Sequence, residues 1–167
     1  GDYDLYFGKA ARAIERIKLG LSSAKKHGYW AAVLYAALRL VSANRALGEH
    51  ATAYAAVEEA LAATEHCHAP GYLAQLTALI VLWFLPGHSD RQRLALLGQA
   101  LSLSPRLRER IPAADRHELQ LWLEQCEQNL GQAEVQALLQ PGKSTTYEEL
   151  LAAVRAHGGT VVAMQNY

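Results

Sequence analysis

Apolar positions recur at the three- and four-residue spacing of an α-helix along nearly the whole chain. Ala53, Val57, Ala60 and Leu61 fall at i, i+4, i+7 and i+8 and mark one buried stripe, while Glu58 and Glu59 fall off it toward water. The pattern predicts helices over 3–27, 30–47, 51–66, 71–85, 90–103, 114–130, 132–139 and 146–157. Strand character is confined to "TVVAM" at Thr160–Met164. The most apolar run, Leu76–Leu85, has about half the length of a membrane-spanning helix and reads as a buried core helix.

Breakers divide these stretches. Gly28 follows Lys25, Lys26 and His27, basic residues that suit the last turn of a helix. Ala69-Pro70-Gly71, Pro86-Gly87, Gly131 and Pro141-Gly142 separate further helices, and Pro105 and Pro112 bracket "RLRERI". Thr145 with Glu148, and Thr146 with Glu149, fit a capping box ahead of the last helix. Gly48 interrupts an alanine-rich run of strong helix formers. A left-handed backbone there costs glycine nothing and other residues about 1 kcal/mol or more, so the chain reverses at that point. Ala43, Ala53 and Ala60 then form a close seam between the flanking helices. Gly48, Gly87 and Gly131 recur at a spacing that signals stacked helix pairs, each burying the apolar face of its neighbour.

The residues around that reversal resemble a known repeat. "ANRALGEHATAYAAVEEALAAT" (43–64) resembles the second half of a tetratricopeptide repeat, with Ala43, Gly48, Ala53, Val57, Ala60 and Leu61 in the expected places. "GQALSLSP" (98–105) resembles the end of another repeat, and "GDYD" (1–4) resembles a repeat's turn, which implies a piece of a longer protein. Asn44 stands where the family has an aromatic residue, and Ala37 where it has tryptophan. The stretch 27–73 is similar to the helical-repeat sensor region of the large ATP-dependent LuxR-type transcription activators, the maltose-activator type. It shares with them Gly48-Glu49, Ala60-Leu61 and Gly71-Tyr72. That resemblance implies a superhelix that binds an inducer or a regulatory protein.

Charge and chemistry narrow the picture. Lys+Arg and Asp+Glu both number 16, so the net charge is zero and no basic footprint for nucleic acid is present. Cys67 and Cys126, both in expected helices, read as free thiols of a reducing cytosol, and no leader opens the chain. "QPGKST" ends like a phosphate loop, yet the position that needs the first glycine is Ala137, inside a helix. His66-Cys67-His68 reads as a frayed helix end, because residues i and i+2 of a helix do not converge on one metal. Arg106, Arg108 and Arg110 read as a solvated inter-repeat loop. No nucleophile–base arrangement is recognisable, and His117 and His157 stand on helices without identifiable partners. Most of Tyr72, Trp83, Phe84 and Trp122 are expected in helix packing.

The expected fold is all-α: one domain over 1–167 of stacked antiparallel helix pairs, a tetratricopeptide-like right-handed superhelix. The phase set at Gly48 turns Tyr35, Leu38, Ser42 and Arg45 to the concave groove, joined by Gln75 from the next pair and then Gln125 and Gln128. Their aromatic, amide and guanidinium groups suit a peptide or a polar small molecule. The function read from the resemblance is a non-catalytic, cytoplasmic sensor domain of a transcription activator. It has no cofactor, no metal, no direct nucleic-acid contact and no membrane contact. A free-standing protein-interaction adaptor and an all-helical enzyme stay open beside it.

Overall fold

A computed structural model of the chain describes residues 9–85, 87–140 and 144–164. Among them the chain is all-helical and has no strand. The helices are α1 (Ala10–Lys26), α2 (Trp30–Ala46), α3 (His50–Ala63), α4 (Pro70–Trp83), α5 (Asp90–Leu103), α6 (Leu107–Arg110), α7 (Ala113–Leu130), α8 (Gln132–Leu139) and α9 (Tyr147–Met164). The chain divides between Tyr72 and Leu73, in the first turn of α4, into two compact units.

The first unit is built on one reversal used twice. Gly28 has φ +69° and Gly48 has φ +75°, the left-handed conformation that glycine adopts without strain. At the first, the Gly28 N–H donates to Lys25 O at 3.1 Å and the Tyr29 N–H to Ala24 O at 2.9 Å. At the second, the Gly48 N–H donates to Arg45 O and the Glu49 N–H to Asn44 O, both at 2.9 Å. Each turn therefore satisfies two orphan carbonyls of the helix it ends, in the Schellman pattern. The two helices so ended, α1 and α2, have 17 residues each. α2 packs against both α1 and α3.

The expected seam is present. Ala43, Ala53 and Ala60 are fully buried, Val57 is buried, and Glu58 is exposed. Leu61 is only half-buried; the stripe runs through Ala56 and Ala63 instead, at three- and four-residue steps from Ala53 and Ala60. Asn44 is buried beside the seam without a polar partner on α3. Its Nδ2 donates to Leu40 O at 2.8 Å, one turn back on its own helix, which removes the penalty of an amide in an apolar contact.

In the second unit α5 packs on α8 and α9, and α7 on α8. Every residue of α4 from Leu73 to Val81 is buried, as its continuous apolar run requires. Thr77 Oγ1 donates to Leu73 O at 2.8 Å and so is satisfied within the helix. Ser89 and Gln92 form a capping box at the start of α5, and Thr146 and Glu149 form the expected one ahead of α9. Thr145 takes another part: its N–H donates to Ser102 Oγ at 3.1 Å.

Three local expectations are corrected. The strand-like "TVVAM" continues α9 to Met164, because β propensity is a weak preference that a helix already under way overrides. "RLRERI" is not wholly a solvated loop: α6 forms there, with Leu107 and Ile111 buried and the three arginines exposed. Cys67 lies beyond α3, which ends at Ala63, while Cys126 lies in α7 as expected. The "GDYD" turn, the start of the first expected helix and Pro141-Gly142-Lys143 lie outside the described residues.

Candidate functional site

A groove of about 300 Å³ opens along α1 and α2 in the first unit. α1 supplies Arg16, Ile17 and Gly20, and α2 supplies Ala32, Tyr35, Ala36 and Arg39. The α2 residues fall at i, i+3, i+4 and i+7, one face of a helix. The guanidinium of Arg39 lies over the Tyr35 ring, 4.8 Å from its centroid, a cation–π contact that holds the charge at the groove. The Tyr72 ring tilts against Tyr35 at 6.0 Å between centroids. Gly20 and the two alanines contribute no side-chain bulk, so the backbone of both helices is approachable there.

Of the residues expected to bind, Tyr35 lines this groove. Leu38 does not present a surface. It is 1% exposed because the Leu34–Leu38–Val41 stripe of α2, flanked by α1 and α3, is core. Ser42 and Arg45 are half-buried farther along α2. Gln75 is 3% exposed inside the apolar run of α4, so its amide is not offered to solvent. Gln125 and Gln128 are exposed on α7, in the second unit, whereas the groove at Tyr35 is built within the first. Arg39 and Arg16, outside the expected set, line the groove as well. Arg39 sits four residues from Tyr35 and so shares its face, a legible signal; Arg16 lies on a helix that the repeat motif does not reach.

The second unit holds a cleft of about 740 Å³ lined by Leu101, Ser102, Pro105, Arg108, Glu127, Gln136, Leu139 and Gln140. It also holds a polar cluster spanning α4, α5 and α7. Arg93 Nε donates to Val81 O at 2.9 Å and Nη2 to Leu82 O at 3.4 Å, which caps the last carbonyls of α4. The same guanidinium lies 4.4 Å from the centroid of the Trp122 ring, and Trp122 Nε1 donates to Asp90 Oδ1 at 3.1 Å. Trp83 Nε1 donates to buried Asp115 Oδ1 at 3.2 Å. Both indoles are thus spent on structure, and Phe84 is buried as well. Cys126, fully buried beside this cluster, has its thiol pushed up to about 11 by burial and then by Asp90.

The remaining motifs resolve into packing. The His66 ring stacks on Trp30 with 3.9 Å between centroids, and Cys67 Sγ donates to Ala63 O at 3.4 Å. Among the described residues no group of three or more metal-ligating side chains converges. His157 Nδ1 lies 3.0 Å from His88 Nε2, and burial, with His88 beside it, lowers the His157 pKa. No described helix is long and apolar enough to cross a membrane. Comparison with known protein families, curated proteins and solved structures finds no match for the chain.

Proposed function

We propose that the chain is a non-catalytic helical-repeat binding domain that receives a ligand in the α1–α2 groove and, within a transcription activator, reports it to neighbouring domains. One observation carries this reading: Arg39 is held against Tyr35 over a floor of small residues, a concave surface largely formed before a ligand arrives. The lining offers guanidinium, phenol and aliphatic groups, which suit recognition by charge, stacking and apolar contact. The activator context, and the right-handed stack of helix pairs, rest on the resemblance of residues 27–73. The twin reversals at Gly28 and Gly48 support that stack, since one connection repeated is how helical arrays grow. A ligand touching both α1 and α2 favours one spacing of the two helices, and that preference is the signal.

A free-standing adaptor for protein segments is the second reading, favoured by Leu19 and Tyr29, which stand 74% and 66% exposed in the first unit. Thermal denaturation of the chain against a panel of metabolites and peptides tests both. A compound that raises the melting temperature of the wild type but not of Tyr35→Ala supports the groove. Stabilisation that survives Tyr35→Ala excludes it. An open reading frame carrying a nucleotide-binding domain before this chain and a helix-turn-helix after it supports the activator; its absence favours the adaptor.

A further inference from the structure

The cleft of the second unit gathers opposite charges from separate helices. Leu107 and Ile111 are buried and pin the short α6 in place. Arg106, Arg108 and Arg110 are all exposed along that segment, and of these Arg108 lines the cleft. Glu127 faces it from α7, and Gln136 and Gln140, one helical turn apart, bring two amides from the α8 stretch. α5 and α8 meet backbone to backbone at Gly98, where an added Cβ would strike the Leu138 carbonyl oxygen. Close by that contact, half-buried Leu101 and Leu139 give the cleft an aliphatic wall, with Pro105 beside them. Ser102 Oγ accepts from the Thr145 N–H at 3.1 Å, which fastens the chain ahead of α9 to the same wall.

We propose that this cleft binds a small zwitterion of the amino-acid type, a free amino acid or a short peptide with open ends. Arg108 takes its carboxylate and Glu127 its ammonium group. The amides of Gln136 and Gln140 hydrogen-bond its polar main-chain atoms, and an aliphatic side chain rests on Leu101, Pro105 and Leu139. The guanidinium fork matches a carboxylate in paired hydrogen bonds. A simple anion drawn to Arg108 meets repulsion from Glu127, and a simple cation the reverse, so the pair selects a molecule that carries both signs. Neither charge needs to be unpaired beforehand: the zwitterion exchanges the partner of each for one of the same sign. The volume, about 740 Å³, lies well inside the range for small-molecule sites, about 300–1,000 Å³, and leaves room for a short peptide. This site is separate from the α1–α2 groove and does not depend on it.

Titration of the whole chain, followed by backbone amide NMR shifts, tests this with matched probes. Ala-Leu-Ala is compared with its N-acetylated and C-amidated forms, and L-leucine with N-acetylleucine and leucinamide. Both charged groups are exposed, so each end should contribute modestly. The free-ended member of at least one set should bind at least threefold tighter than either blocked form, and the set that responds separates peptide from amino acid. Glu127→Gln should erase the penalty of acetylation and keep that of amidation. Arg108→Gln should do the converse, and Arg106→Gln, outside the cleft, should change neither. Circular dichroism checks that each variant keeps its helicity, and the blocked probes decide the matter on the wild type alone. Blocked forms that bind as tightly as free ones overturn the proposal. So do end preferences that survive both Arg108→Gln and Glu127→Gln, and so does absence of binding by Ala-Leu-Ala and L-leucine at millimolar concentration.

Discussion

The middles of α1 and α5 each carry a glycine, and their surroundings are opposite. At Gly98 an added Cβ would run into the Leu138 carbonyl oxygen and lie 3.1 Å from Leu139 Cα, because α5 and α8 approach backbone to backbone. At Gly20 the same atom would enter open space among the described residues. Each glycine costs its helix about 1 kcal/mol relative to alanine. At Gly98 a neighbouring helix offsets that cost by packing closer than any side chain permits. At Gly20 the described residues offer no such return. The two regions teach that a helical glycine is a local loss whose recompense lies elsewhere, and that the recompense identifies its purpose.

Substitutions at these positions sharpen the contrast. Gly98→Ala should have the largest effect, a loss of about 3 kcal/mol in urea denaturation, since α8 must be driven away from α5. A loss below about 0.5 kcal/mol would mean that the two helices separate easily and that the contact is not a close one. Gly48→Ala should fall between. Its Cβ meets nothing within 4 Å among the described residues, so the φ of +75° is what opposes it, at a cost of about 1 kcal/mol. Asparagine there should cost less than alanine. Gly20→Ala should go the other way and stabilise by about 0.5–1 kcal/mol. A destabilised Gly20→Ala would break the comparison, because a hidden neighbour would then account for the glycine.

The smallest effect is one of pH, and it should belong to the second unit alone. The native His157 pKa lies below the ordinary value of 6.5, through burial and then the nearby His88. The unfolded chain therefore takes up that proton before the native chain does. The stabilisation is present above about pH 6.5 and declines as the pH falls from there toward the native pKa. His157→Gln should flatten this part of a melting-temperature profile, while the gain from Gly20→Ala should be the same on both sides of it. An unaltered slope in His157→Gln would remove the His88–His157 contact as its source.

The legibility of the chain follows what is local. The bounds of α5 and α8 coincide with those expected from periodicity, as does the reversal at Gly48, because breakers and helix formers act within a few residues. The Ser89–Gln92 capping box, with its three-residue spacing, is a signal of the same local kind. α6 was hidden by its shortness: Leu107 and Ile111 are apolar signals too sparse, among arginines, to set a period. The site was harder. Tyr35 and Leu38 stand one turn apart on α2, yet one lines a groove and the other is core, since exposure depends on which helices flank which face. Arg16 was out of reach because the repeat pattern starts on α2, and only packing brings α1 to Tyr35.

The paired reversals at Gly28 and Gly48 also bear on how fast this part of the chain organises. Each is closed by hydrogen bonds spanning only a few residues, and α1 and α2 each pack on the helix that follows in sequence. Such low contact order keeps the entropy of loop closure small and places folding on the microsecond-to-millisecond scale. A ribosome adds roughly 5–20 residues each second. The three-helix segment can thus assemble as its last turn emerges, well before the residues that follow have been synthesised.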